Sequence, residues 1–397
     1  MPKSTATQMR DWQGPAVLSF GFRPFFLGGA AWVVLAMVLW LFMLGGKLVL
    51  PTRLDAVSWH AHEFLFGYLG AVLAGFLLTA VPNWTGRLPV VGVSLGWLFS
   101  LWVAGRVAMM GSALAPAWLP ILVDLAFPVA LGGVIAREIV TGKNWRNLIV
   151  LGLLVLFTVA NLIFHIEAAG YSAPAQGYGL RMGLATAVLM ISVIGGRIIP
   201  SFTRNWLVQQ RSTSRPAPPM RRFDKGTIAV TCAILFVWVL QPENRTTAAL
   251  LAVMAGLHAL RLARWQGHRT LSEPLVWVLH LSYALIPLGA LMMAYAGLTG
   301  TAAMGPAQHI WMAGAIGAMT LAVMTRATLG HTGHTLRANR ATVGIYLALF
   351  GSVVARWLAG DFPVMTYVAG PLWILAFGGF VAAYGPLLVR PRRKAHA

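Results

Sequence analysis

Acidic residues are scarce in this chain. Ten Asp and Glu stand against thirty Lys and Arg among 397 residues, and charged residues of every kind make up only 10%. A soluble domain carries about a quarter, so the shortage excludes an ordinary soluble protein and leaves an integral membrane protein. Cysteine is nearly absent as well. Cys232 stands alone in an apolar run, which excludes an intramolecular disulfide, a CxxC redox pair and the CxxCH of covalently attached haem. Any haem must be held non-covalently, through histidine. No basic patch is interleaved with exposed aromatics, so the net charge of +20 does not point to nucleic acid. The first twenty or so residues are polar and lack a cleavable signal pattern, so the first apolar run is expected to persist as a helix.

What is abundant is hydrocarbon: 58% of the residues are hydrophobic. A membrane span needs roughly 20 apolar residues, and twelve stretches qualify: 24–46, 60–82, 88–109, 117–137, 146–169, 178–200, 226–241, 246–263, 273–298, 305–328, 341–359 and 364–388. The expected fold is an all-α polytopic membrane bundle. Basic residues gather at the N-terminus, the even-numbered joints and the C-terminus. Only Lys47, Arg53, Arg106, Arg245 and Arg356 fall at the odd joints, and Arg181 and Arg197 lie within the sixth span. Positive residues mark the cytoplasmic side, so both termini are expected there. The whole chain, 1–397, reads as a single transmembrane domain. Its halves, about 20–203 and 226–389, are joined by a basic, Pro-rich cytoplasmic loop, 204–225. Shifting the second span by 247 residues lays His62 on His309, Gly67 on Gly314 and Gly70 on Gly317, which suggests an internal repeat.

Ionisable groups beside lipid are expensive and usually do chemistry in a protein interior. WHAHE, residues 59–63, stands at the mouth of a long apolar run. With the expected orientation, His60, His62, His165 and His309 fall toward the periplasmic face, with Glu63 and Glu167 beside them. His258, His280, His331 and His334 fall toward the cytoplasmic face. Imidazole is the commonest protein metal ligand, and two such layers suit a metal or haem site at each face. His60 and His62 would point about 200° apart on a regular helix, so either the helix starts at His62 or only one of the two is a ligand. Glu63 and Glu167 are the candidate proton donors. Arg181 and Arg197 are candidates for pairing with haem propionates. For a single imidazole such as His258 or His334, the plainer reading is a hydrogen-bonded packing residue. Gly67, Gly70, Gly314 and Gly317 suit either a porphyrin face or close helix packing.

The strings FRPFFLGGA, WHAHEFLFGYLGAVLAGFLLTAVPNWTGR, NLIFHIE, GGRIIPSFTRNW, VWVLHLSYALIPLG and AVMTRATLGHTG occur in this order. Together they resemble the NnrS family, from about residue 20 to 385. The resemblance implies a twelve-helix bacterial inner-membrane protein with non-covalent haem b and copper, associated with denitrification and with defence against nitric oxide. His60, His62, Glu63, His165, Arg204, Asn205, His280, His309, Arg326 and His331 stand inside matching motifs. His258 has more generic surroundings, and His334 is not expected to be a ligand. The expected partners are nitric oxide, the bilayer and an electron donor, either quinol or a redox protein. The expected activity is binding or consumption of nitric oxide, with its reduction to nitrous oxide as the enzymatic form. The competing reading is a transporter or handling protein for metal, haem or nitrosylated iron.

Overall fold

The computed structural model describes residues 12–86, 89–170, 173–301 and 304–392. Twelve helices are long and apolar enough to cross a membrane, and no strand occurs among the described residues. They are α1 (Phe22–Leu44), α2 (Ala56–Thr85), α3 (Val93–Met110), α4 (Trp118–Thr141), α5 (Trp145–Ala169) and α6 (Tyr178–Gln209), followed by α7 (Arg222–Leu240), α8 (Arg245–Ala263), α9 (Pro274–Thr299), α10 (Met304–Thr332), α11 (Arg340–Leu358) and α12 (Pro363–Val389). Helix is the required solution in lipid, because it satisfies every backbone polar group within its own segment. Large apolar side chains remain outside: Phe42, Leu122, Phe236, Leu347 and Leu375 are all more than half exposed. That is the surface of a multi-pass membrane protein.

Three helices differ from the rest. α2, α6 and α10 contain 30, 32 and 29 residues, and 83, 72 and 72% of their apolar windows are buried, whereas eight of the other nine lie between 28 and 44%. Each also widens into π-helix, at Glu63–Leu69, Ile191–Gly195 and Ile310–Ile316. Such turns are rare and recur at functional sites. The first and third stand 247 residues apart, and each is followed by glycine, Gly70 or Gly317. The spacing coincides with the shift that lays His62 on His309.

The chain divides into two compact units, one of residues 1–183, 327–334 and 380–397 and the other of 184–326 and 335–379. In the first unit Phe26 packs into the space left by Gly75, joining α1 to α2. Trp102 Nε1 of α3 donates to the Gly67 carbonyl inside the π-turn at 2.9 Å. The Arg23 guanidinium donates to the carbonyls of Leu388 and Arg390 at 2.8 and 2.7 Å, a cation on carbonyls that α12 leaves without helical partners. In the second unit Trp311 Nε1 donates to the Ile286 carbonyl at 2.8 Å, with Gly289 leaving room for the indole.

Helix ends depart from the sequence reading at the polar joints. α2 begins at Ala56 rather than at residue 60, because Asp55 caps it, accepting from the Val57 and Ser58 amides at 2.9 and 3.0 Å. Partial burial pushes the Asp55 carboxyl up, but hydrogen bonds from Ser58 and Val57 outweigh it and leave its pKa lowered. The cap is therefore kept above the ordinary carboxylate range and lost only as pH falls through the depressed value. α6 continues to Gln209 and takes the first residues of the expected cytoplasmic loop into the helix. α10 runs through His331, which had been placed just beyond it.

α5 comes close to the start of α6 at Gly179, where a Cβ would run into the Phe164 backbone. Gly179→Val is expected to cost about 1–3 kcal/mol through overpacking and to lower the thermal unfolding midpoint of the detergent-solubilised protein. Gly132→Ala, which meets open space, should leave the midpoint unchanged.

Candidate functional site

The WHAHE segment lies wholly inside α2, so its two histidines diverge. His60 stacks on Trp40 of α1, with ring centroids 4.2 Å apart. His62 turns the other way and is fully buried with Glu63. Around them, α3 contributes Arg106, α4 contributes Asp124, and α5 contributes Asn161 and His165, which are four residues apart and share a face. Arg106 Nη1 donates to both Glu63 oxygens, at 2.8 and 2.7 Å, and Nη2 pairs with Asp124 Oδ1. Gly67 is the residue that lets the guanidinium pass, since a Cβ there would occupy its place. Asn161 Nδ2 donates to Asp124 Oδ2 at 2.7 Å, and His165 Nε2 donates to the same oxygen at 2.9 Å.

The acceptors fix the protons on His62. Its Nδ1 lies 2.9 Å from Glu63 Oε1, and its Nε2 lies 3.0 Å from Asn161 Oδ1 and 3.2 Å from Asp124 Oδ2. Glu63 is a carboxylate clamped by arginine, and the Asn161 amide nitrogen is already turned to Asp124. Both faces of His62 therefore meet acceptors, and both ring nitrogens carry hydrogen. Two cations, Arg106 and His62, balance two anions, Glu63 and Asp124. Full pairing is what makes four buried charges tolerable.

The same atoms form a possible metal site. One donor atom each from His62, Asp124 and His165 lie within 4.8 Å of one another. Two imidazoles and a carboxylate, without sulfur, suit a divalent ion such as copper or zinc. Ligands must be deprotonated to bind, so an entering ion must first displace the proton on His62 Nε2. Against this cluster lies a cavity of about 10 Å³ with walls including Phe66, Phe127, Leu131, Arg106, Asp124 and Asn161. It has room for about one water-sized molecule.

In the second unit the histidines divide by the same accounting. Thr231 and Thr203 each give their hydroxyl proton to a backbone carbonyl, at Thr227 and Ile199. The imidazoles that reach them, His258 at 2.8 Å and His280 at 2.7 Å, must therefore donate from Nε2. His258 Nδ1 then accepts from the Tyr283 hydroxyl at 2.7 Å, which in turn accepts from Arg261. Both nitrogens of His258 are occupied, in a buried network completed by Arg261 Nε on Asp224 at 2.8 Å and Nη1 on the Ser192 carbonyl. His280 Nδ1 keeps its lone pair and has no hydrogen-bond partner among the described residues. His309 donates Nδ1–H to the Gly305 carbonyl at 2.8 Å, leaving Nε2 with a lone pair.

The remaining expected residues take other positions. Glu167 accepts from the Tyr178 and Gly179 amides at 2.6 and 3.1 Å, an anion seated at the start of α6 where the helix dipole favours it. Arg181 bonds the Gln176 carbonyl and lies over the Tyr178 ring. Arg197 is half-buried in α6. His331 faces Phe20 and Phe22, with ring centroids 5.4 Å away in each case. Thus His62 and His165 meet in one cluster of the first unit, whereas His258, His280 and His309 belong to the second. Sequence reasoning left Asn161 out, although its four-residue spacing from His165 in NLIFHIE was the available signal.

Removing one partner from a buried ion pair leaves an uncompensated charge, at about 3–5 kcal/mol. Asp124→Ala is expected to unfold the protein at markedly lower temperature and to abolish binding of added copper, read by metal content after desalting. In the intact protein, copper uptake should release protons to a weakly buffered solution and weaken as pH falls. Uptake without proton release would contradict the double protonation of His62.

No curated protein matches the chain. The family model described as NnrS protein matches residues 16–392. That match covers nearly all of the chain, including every helix that builds the buried cluster, and the chain belongs to the NnrS family.

Proposed function

We propose that this protein is a haem- and copper-binding protein of the bacterial inner membrane that binds nitric oxide and reduces it to nitrous oxide. The observation that carries the reading is the buried His62–Asp124–His165 donor set beside a small, mostly apolar cavity in a member of a nitric-oxide-related membrane family. Nitric oxide is small and apolar, so a site within the bilayer meets it directly. The gathering of basic residues at the termini and even-numbered joints supports the reading that both termini are cytoplasmic.

Copper would be held by His62, His165 and Asp124, whose donor chemistry fits it. For haem, the imidazoles with a lone pair to offer in the second unit are His280 and His309. Arg356 lies near His309 and would suit a propionate, so His309 is the residue that would hold the haem. When bound, the two groups supply affinity for nitric oxide and one-electron chemistry. The reaction 2 NO + 2 H⁺ + 2 e⁻ → N₂O + H₂O consumes protons, and the protein's part is to hold them. His62 carries one on Nδ1, shared with Glu63, whose other contacts are to Arg106. Phe66, Phe127 and Leu131 keep bulk water from the cavity. Glu167, committed to two backbone amides, is the weaker proton donor. The π-interruptions of α2, α6 and α10 favour a second reading, a handling protein for metal or nitrosylated iron, since interrupted helices recur in transporters.

Anaerobic nitric oxide added to the reduced, purified protein separates the two. Nitrous oxide formed over many turnovers is the expected result. A stoichiometric nitrosyl spectrum without turnover would leave a binder, and absence of both a Soret band and copper would overturn the proposal. His62→Ala, which removes a ligand, should lower copper affinity by more than the about 10–100-fold lost with an outer-shell partner, while His309→Ala removes the Soret band. Loss of both cofactors from either variant would refute the separate assignment.

A further inference from the structure

Just beyond the C-terminal end of α8 the second unit gathers arginines without an exposed acid. Gln266 takes a left-handed φ of 57° that turns the chain, and its Nε2 donates to the Arg215 carbonyl at 3.0 Å. The Ala217 amide donates to the Arg264 carbonyl, also at 3.0 Å. The basic loop is thus tied to this turn at two points, which brings Arg215 to the edge that carries Arg264 and Arg269. Arg215 uses Nη1 on the Ser212 and Ser214 carbonyls, which leaves Nη2 and Nε to give. Arg264 lies over the Phe223 ring at 4.6 Å, and Arg269 is exposed. The acids nearby are buried and engaged elsewhere. Asp224 holds Arg261 and the Arg221 amide, and Glu273 holds the Leu275 and Ala338 amides. Cations crowded at a surface without counter-charge attract an anion.

Beside the same turn a cavity of about 360 Å³ lies between α8 and α9, with walls including Leu262, Leu271, Trp277, Leu281 and Ala284. Leu271 and Leu281 are exposed, so the cavity opens onto the apolar outer surface. From there it continues as a lane along α9. Between residues 281 and 295 the exposed side chains of this helix are Leu281, Leu288, Leu291 and Tyr295, with Ala284 half-buried among them. Steps of three and four residues put them in one line, while 67% of the helix's apolar window is buried. The line from Leu281 to Tyr295 is about 21 Å long. That suits an acyl chain crossing one leaflet, whose hydrocarbon depth is roughly 15 Å, half the bilayer core. A free phosphate ion would leave the lane unused, and an uncharged lipid would leave the arginines without an anion. The occupant joins a phosphate to a long hydrocarbon chain.

We propose that this edge of the second unit holds one anionic phospholipid, its phosphate among Arg215, Arg264 and Arg269 and one acyl chain along the lane from Leu281 to Tyr295. Guanidinium groups suit the task, because their forked donors match phosphate oxygens two at a time. The proposal concerns binding of lipid and stands whether or not nitric oxide is the protein's substrate. It also separates a built site from the general attraction of a basic surface for anionic lipid, since only the former depends on these three arginines and on the open lane beside them.

The test titrates the full, delipidated chain in detergent with phosphatidylglycerol or phosphatidylcholine of identical acyl chains, and counts retained lipid by native mass spectrometry. One tightly held phosphatidylglycerol per chain is expected, at least about tenfold tighter than phosphatidylcholine. Joint substitution of Arg215→Gln, Arg264→Gln and Arg269→Gln should remove that preference. Lys143→Gln with Arg146→Gln, which removes exposed cations from the first unit, should keep it. Ala284→Phe, which blocks the head of the lane and leaves the arginines in place, should weaken phosphatidylglycerol binding and leave haem and copper content unchanged. Equal retention of the two lipids, a preference that survives the triple substitution, or its equal loss in the Lys143 and Arg146 variant would overturn the proposal. So would displacement of the lipid by inorganic phosphate alone, or loss of the Soret band in Ala284→Phe, which would give the cavity to haem. None of these measurements uses nitric oxide, so a failed nitric oxide assay leaves them interpretable.

Discussion

Arg106 between Glu63 and Asp124 is the interaction on which the first unit depends. In a low-dielectric interior an isolated charge is prohibitive, and a pair is tolerable only with good geometry and satisfied hydrogen bonds. The guanidinium meets the pairing part of that condition through Nη1 and Nη2, which span two carboxylates from two helices, while its Nε has no hydrogen-bond partner among the described residues. Those carboxylates then have capacity left for His62, His165 and Asn161. The cluster thus ties α2, α3, α4 and α5 together through electrostatics, where hydrocarbon alone gives helices in lipid little reason to prefer one partner. Its side chains sit in a fixed geometry because every one is held by another.

The second unit contains a comparable arrangement with a different outcome. Arg261 is clamped by Asp224 and reaches the Ser192 carbonyl within the π-turn of α6. Its histidine, His258, has both nitrogens engaged with neutral hydroxyls. The first cluster holds two buried carboxylates, one of which accepts from two imidazoles; the second holds one, committed to Arg261 and to the Arg221 amide. That difference in acidic residues is what makes one cluster suited to exchanging protons or holding a cation, and the other suited to packing.

Much of this architecture was legible in the sequence. With so few charges, each apolar run announced itself, and all twelve spans are present as helices. The resemblance carried by WHAHE, FTRNW and TRATLGHTG pointed to the family that the whole-chain match establishes. The mouth of α2 was misplaced because the helix starts at Ala56, capped by Asp55, five residues before the expected start at 60. The π-turns were not readable as such, because the glycines that Glu63–Leu69 and Ile310–Ile316 share in register, Gly67 and Gly314, equally suit close helix packing. Which imidazole has a lone pair to give was also out of reach. It depends on where Thr203 and Thr231 send their own protons, and so on backbone carbonyls that a sequence does not reveal.

The π-turn of α2 has a consequence for rotational phase. A π-turn accommodates one more residue than an α-helix of the same rise, and one residue is worth about 100° of rotation. The segment Glu63–Leu69 therefore sets the angle between the WHAH end of the helix, which aims His62 at α4 and α5, and the glycine-rich end that packs on α1. Closing that turn into regular α-helix with the same residues would conserve composition and hydropathy, yet turn one end by about a quarter-circle against the other. The same offset recurs before Gly317 in α10, so that helix too presents two differently phased faces along one continuous rod.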